Sequence, residues 1–243
     1  MKSKKKNILY IIAAIIFILT GIVIFYVNDD YDATDEAMLA LETTENVQVE
    51  GEDPVHFYPV ENAQTEVGII FYPGGKVEEE AYAPLMQSLA GEGFAVFLVN
   101  MPLGLAVFDI NGAAGIIADH EEISDWYLMG HSLGGSMAAV YAGKNEKLAG
   151  LILLAAYSTE DLSNRNLPVL AIFGSEDQVI NAEKVDEYRP MLPSTLIETT
   201  IEGGNHAQFG NYGIQKGDGE ASITTQKQQM MTVDAITQFI QED

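Results

Sequence analysis

Trp126-Tyr127-Leu128-Met129-Gly130-His131-Ser132-Leu133-Gly134-Gly135 is the stretch on which the reading of this chain turns. Its first four residues are bulky and apolar, as in a strand buried on both faces. Three glycines then surround a serine, and the residues from Leu133 to Ala142 are small and apolar, as in a buried helix. A strand that runs through a glycine-rich turn into a helix holds its turn residue in a strained conformation, with glycines where side chains would collide with neighbouring strands. The bare Gly-x-Ser-x-Gly pattern arises often by chance. Its placement between strand and helix makes it informative and marks Ser132 as a candidate nucleophile.

Outward from this turn, short apolar runs alternate with amphipathic stretches of helical length. Strands are expected at Val47–Glu50, Val55–Val60, Val67–Tyr72, Phe94–Val99, Trp126–Met129, Leu148–Ala155, Val169–Phe173 and Leu196–Ile201. Tyr82, Leu85, Met86 and Leu89 recur at helical spacing, and a helix is expected from Phe108 to Glu122 despite Gly112 and Gly115. Further helices are read at Ala182–Tyr188 and at the C-terminus, the latter with Met230, Val233, Ile236 and Ile240 on its inner face. This order implies one α/β domain, a mostly parallel sheet with helices on both faces and right-handed crossovers.

Four regions follow from charge and hydropathy: a basic tail (1–7), an apolar run (8–27), an acidic tether (28–46) and the α/β domain (47–243). Residues 8–27 contain no charge and are long enough, at 1.5 Å per residue, to span a hydrocarbon core of about 30 Å. The run exceeds a signal-peptide core and ends in bulky residues, so a retained transmembrane helix is expected. Lys2, Lys4, Lys5 and Lys6 precede it, which predicts a cytoplasmic N-terminus and a domain outside the cell membrane. The tether is expected to carry one short helix around Glu36–Leu41.

Beyond the apolar run the chain holds eight basic residues against 36 acidic ones. Such a surface repels phosphate backbones, so no nucleic-acid partner is expected. There is no cysteine, which excludes a thiolate nucleophile and cysteine-based zinc sites. No His-x-x-x-His spacing occurs, and no metal or cofactor is expected.

A serine hydroxyl needs a base to take its proton and an acid to orient that base. Phe173-Gly174-Ser175-Glu176-Asp177 follows a buried strand and offers Asp177 as the acid, with Glu176 its nearest competitor; the alternative for Asp177 is a cap on the next helix. Gly203-Gly204-Asn205-His206 follows the last strand and offers His206 as the base. His131 occupies the turn itself, where its ring should pack away from substrate, and His56 and His120 are assigned no chemistry. The Leu133 amide is expected to donate one hydrogen bond to a developing oxyanion. The second donor is expected from Pro73-Gly74-Gly75-Lys76, with Gly75 preferred and Lys76 close behind.

From about Val55 to Ile240 the chain resembles the α/β-hydrolase superfamily, in its small, uncapped branch that includes dienelactone-hydrolase-like esterases. The resemblance is carried by Tyr72–Gly75, the Gly130–Gly134 turn, Gly174–Asp177 and Gly204–His206. True dienelactone hydrolases use a cysteine where this chain has Ser132. The resemblance implies a serine esterase using Ser132, His206 and Asp177. Only Tyr157–Asn166 stands where many members insert a lid, so an open site for a small or extended polar ester is expected. Two other functions fit the same residues: an acyltransferase using the same triad, and a non-catalytic surface binding domain on this fold.

Overall fold

The computed structural model describes Phe17, residues 30–61 and residues 65–242. The chain divides into two compact units, Met1–Asp30 and Tyr31–Asp243. The transmembrane helix expected over residues 8–27 lies outside the described residues except for Phe17, which is helical. Among the described residues no helix is long and apolar enough to cross a membrane.

The second unit contains α1 (Asp35–Leu39), β1 (Val47–Glu50), β2 (Val55–Pro59), β3 (Val67–Tyr72), α2 (Ala83–Gly91), β4 (Ala95–Leu98) and α3 (Ala113–Asp119). It continues with β5 (Asp125–His131), α4 (Leu133–Lys144), β6 (Leu148–Leu154), β7 (Val169–Gly174), α5 (Ala182–Tyr188), β8 (Leu196–Ile201) and α6 (Thr225–Glu242). The strands form one sheet in the order β1-β2-β4-β3-β5-β6-β7-β8. β1 and β2 pair antiparallel, as do β2 and β4, and every later pairing is parallel.

Both faces of this sheet are covered, which is why its inner strands read as unbroken apolar runs. Ile69 and Phe71 of β3 join α2 and α6 in one core, while Ile70 and Tyr72 join α3 and α4 in the other. Alternate side chains of a strand point to opposite faces, so each strand feeds both cores. Each fully buried Leu, Ile or Phe stabilises the fold by about 1.5–3 kcal/mol. An exposed ion pair such as Lys184–Glu187 contributes little in water, so the two cores and not surface charge hold the domain together.

Three sequence readings are corrected. The helix expected from Phe108 to Glu122 covers only Ala113–Asp119, because Pro102–Gly104 and Ala106–Phe108 form single 3₁₀ turns before it. On α6, Met230 is half exposed, whereas Gln228, Gln229 and Thr232 are buried. These polar groups face inward because they bond buried partners: Gln228 exchanges two hydrogen bonds with the Asn205 main chain, and Gln229 bonds Asn211. Residues 31–46, read as tether, are built into the domain. Ala37 and Ala40 of the α1 region are buried, Thr34 N–H donates to Asn211, and Tyr31 forms a parallel bridge with Val77. The short helix expected there is present at Asp35–Leu39, capped by the Thr34 hydroxyl, with Ala37 inside it and Ala40 just after it buried.

α4 starts hard against β3. A Cβ on Gly134 would lie 2.2 Å from the Tyr72 carbonyl oxygen and 2.3 Å from that of Pro73. Gly134→Ala should therefore force the helix off the sheet and destabilise the domain by about 1–3 kcal/mol. Gly115, exposed on α3 with open space where a methyl group would stand, is the control: Gly115→Ala should stabilise by about 0.5–1 kcal/mol. Urea unfolding of the two variants checks both signs.

Candidate active site

The carboxyl ends of the parallel strands hold Ser132, Asp177 and His206, with Leu133 and Gly75 beside them, as expected of an open α/β sheet. Ser132 follows β5 with φ 52° and ψ −119°, a positive-φ conformation that L-residues rarely adopt and that costs about 1–3 kcal/mol. The other described non-glycine residues with positive φ are Lys76, Leu103 and Ala155. They follow β3, β4 and β6, so backbone strain gathers at one end of the sheet, as it does at functional sites.

Asp177 and His206 are brought together. Asp177 Oδ2 lies 2.8 Å from His206 Nδ1, and both side chains are at most 2% exposed. The other carboxylate oxygen, Oδ1, accepts the N–H groups of Val179 at 2.8 Å and Ile180 at 2.9 Å, which fixes the carboxylate in its own loop. Asp177 does not cap α5; Asn181 does, accepting from Lys184 N–H. Glu176 points elsewhere, toward the Ser175 hydroxyl.

Ser132 and His206 line the same cavity, of about 290 Å³. Its remaining wall is largely apolar, from Leu133, Ala155, Ala156, Val179 and Ile180, with Ser136, Tyr157 and Asn181 adding polar atoms. No hydrogen bond joins the Ser132 hydroxyl to the His206 imidazole; contacts of this kind are often long before substrate binds. A larger groove of about 650 Å³ runs between α1, α2 and α6, but no histidine lines it. Residues 155–168, between β6 and β7, contain no helix or strand. Arg165 pins this segment to the end of α4 by bonding the carbonyls of Ala142, Gly143 and Asn145.

Two amide donors stand beside Ser132. Leu133 is the first residue of α4, so its N–H has no intrahelical acceptor. Gly75 lies against it, since a Cβ there would sit 3.0 Å from Leu133 Cδ2. Lys76, the alternative donor, commits its N–H to Gly104 O at 2.9 Å, and the Gly74 N–H goes to the Tyr82 hydroxyl at 3.1 Å. The Gly75 N–H makes no hydrogen bond among the described residues.

His131 packs away from the cavity, fully buried, with its ring 4.5 Å from that of His206. Its Nδ1 lies 2.8 Å from the Tyr82 hydroxyl. That oxygen also accepts from the Gly74 N–H, while the buried Nε2 of His131 has no hydrogen-bond partner among the described residues. Burial holds the pKa of His131 well below 6.5, and the neighbouring His206 acts in the same direction. Tyr82 escapes a reading of the sequence because its spacing marks it only as a core position on a helix. A buried tyrosine needs a partner for its hydroxyl, and that rule is the available signal.

His56 and His120 lie elsewhere, sharing the Tyr58 hydroxyl at 3.2 and 3.3 Å. Among the described residues, no group of three His, Asp or Glu side chains is arranged to hold a metal ion.

The family model of the alpha/beta hydrolase family matches residues 68–230. The chain belongs to the alpha/beta hydrolase family. Among solved structures it is similar to a predicted CIB-like hydrolase from Thermoplasma acidophilum, with a TM-score of 0.56 and 17% identity over 79% of this chain and 98% of that one. At that identity the likeness is one of fold. No curated protein matches the chain.

The buried neutral state of His131 has a consequence for stability. Its folded pKa lies below the unfolded value of 6.5, so between the two the unfolded chain binds a proton that the folded chain does not. Stability must then fall as pH drops below 6.5. Between about pH 7 and about pH 5 the urea midpoint of the wild type should decline more steeply than that of His131→Gln, which lacks this proton. Parallel declines would show that His131 takes no part.

Proposed function

We propose that this chain is a membrane-anchored, outward-facing serine hydrolase that cleaves carboxylic esters through Ser132, His206 and Asp177. The observation that carries the reading is the 2.8 Å contact of Asp177 with His206 Nδ1, out of solvent, beside a cavity walled by both His206 and Ser132. With Nδ1–H held by Asp177, the Nε2 of His206 is left unprotonated and able to take the proton of the Ser132 hydroxyl. The Ser132 oxygen attacks the ester carbonyl, and the oxyanion that forms is met by the N–H groups of Leu133 and Gly75. Collapse breaks the bond to the alcohol, which leaves with the proton from His206. Water, deprotonated by the same imidazole, then releases the acid from Ser132.

A cavity of about 290 Å³ stands at the small end of ligand sites, which supports a short acyl group over a long chain. The anchor is supported by the uncharged run at residues 8–27, and the orientation by the four lysines before it.

A fluorophosphonate probe should label Ser132 in the full-length protein, and aryl esters should be hydrolysed with rates that fall as the acyl chain outgrows the cavity. Ser132→Ala, alone or with His206→Ala, should lower kcat by about 10⁴-fold or more, with no added loss in the double variant. Asp177→Asn should cost about 10³–10⁴-fold and Glu176→Gln little. Label-free Ser132 in a folded protein, or full activity of Ser132→Ala, would overturn the reading. Products that appear only when an alcohol or amine acceptor is supplied would make the enzyme an acyltransferase.

Protease added to intact cells should remove the hydrolase domain and spare the N-terminal tail. Complete protection of the chain would place the domain inside.

A further inference from the structure

Asp177 and His206 sit on separate loops, after β7 and β8. The ladder between those strands ends at Gly174–Ile201, three residues short of Asp177 and five short of His206. Beyond it the two loops are joined by the Ser175 and Glu176 N–H groups, bonded to Ile201 O and Gly204 O, and by the Gly203 N–H on the Ser175 hydroxyl. None of these reaches past Glu176 on one loop or past Gly204 on the other. A contact of 2.8 Å between two side chains at the far tips needs a further restraint.

We propose that Asp218 supplies that restraint, as a positioning residue that clasps the acid loop to the base loop; the role rests on the serine-hydrolase reading of the site. One carboxylate gathers four main-chain N–H groups. Its Oδ1 accepts from Gln178 at 3.3 Å, His206 at 3.3 Å and Gly219 at 2.8 Å, and its Oδ2 accepts from Ala207 at 2.9 Å. Gln178 is the neighbour of Asp177, so the clasp holds the residue beside the acid and the main chain of the base itself. Hydrogen bonds to an ionised acceptor are roughly twice as strong as neutral ones, which suits a carboxylate to this place.

Gly219 completes the joint. Its carbonyl accepts the Asn205 side-chain amide at 2.8 Å, one residue before His206. A Cβ on Gly219 would lie 1.9 Å from the Glu176 carbonyl oxygen, so the corner fits between the loops only without a side chain. Asp218 is not a second candidate for the acid, because it touches main-chain N–H groups and Nδ1 of His206 is already taken by Asp177.

A group that only holds the fold together should lower stability, and activity per folded molecule should survive its loss. A positioning group should lower turnover in molecules that remain folded, because a displacement of about 1 Å at a reacting group costs about 10²-fold. The test uses the full-length protein and reads the rate of fluorophosphonate labelling at Ser132, kcat and KM for a short aryl ester, and Tm. Asp218→Asn keeps the size of the side chain and turns an NH₂ group toward amides that need an acceptor. Labelling rate and kcat, both corrected for the folded fraction, should fall about 10- to 100-fold with KM within about twofold.

Asp218→Glu keeps the charge on a longer arm and should recover part of that loss; if Asp218→Asn does not fold, a several-fold lower kcat in folded Asp218→Glu is the expected result. Rates per folded molecule equal to wild type in the folded variants would overturn the positioning role alone. Failure of the wild type to label would overturn the serine-hydrolase reading itself, and this role with it.

Discussion

The first turn of α4 lies so near the end of β3 that a single methyl group on Gly134 would overlap the carbonyls of Tyr72 and Pro73. That approach sets Leu133, at the start of α4, against Gly75, beyond the end of β3. It also swings Ser132 out of the strand path into its positive-φ conformation. The strain is small compared with what the flanking elements bury, since β3 and β5 are packed into cores on both faces. Burial in the sheet thus sustains a geometry that an isolated turn would relax.

The same logic extends across the sheet. Loops after parallel strands emerge side by side at one end, yet hydrogen bonding between strands stops where the loops begin. Polar side chains take over there: Asp177 folds its own loop about the Val179 and Ile180 amides, Asn205 and Gln228 hold the His206 loop, and Asp218 joins the two. Buried polar groups of this kind are costly unless every donor finds an acceptor, so such a network has few alternative arrangements.

How far the sequence discloses all this depends on the kind of constraint at each residue. Ser132, Asp177 and His206 are legible as candidates because each stands in a glycine-containing turn soon after a strand, and chain order then suggests the role proposed for each. The inner strands β3, β4, β6 and β7 are legible to within a residue or two, because burial on both faces leaves no polar position inside them. Asp218, Tyr82 and Gln228 are not. Their partners are main-chain groups brought close only by the tertiary fold, and a main-chain amide leaves no mark on the sequence that identifies its partner. The α6 reading fails at Met230 for a related reason: hydropathy assigns the inner face to apolar residues, whereas two glutamines take it in order to satisfy buried carbonyls and amides.

Tyr31 is where the chain enters the domain, and its contacts are unusually placed. Its N–H donates to Lys76 O, its carbonyl accepts from Glu78, its hydroxyl accepts from the Lys216 N–H, and its ring packs on Tyr212. One residue thus grips both the loop that carries Gly75 and the loop that leads to Asp218. Tension reaching the domain along the polypeptide would load these two loops before any strand of the sheet. The leading segment is in this sense a mechanical part of the candidate site, and a fragment cut after residue 34 would carry Ser132, Asp177 and His206 on loops that have lost a shared fastening.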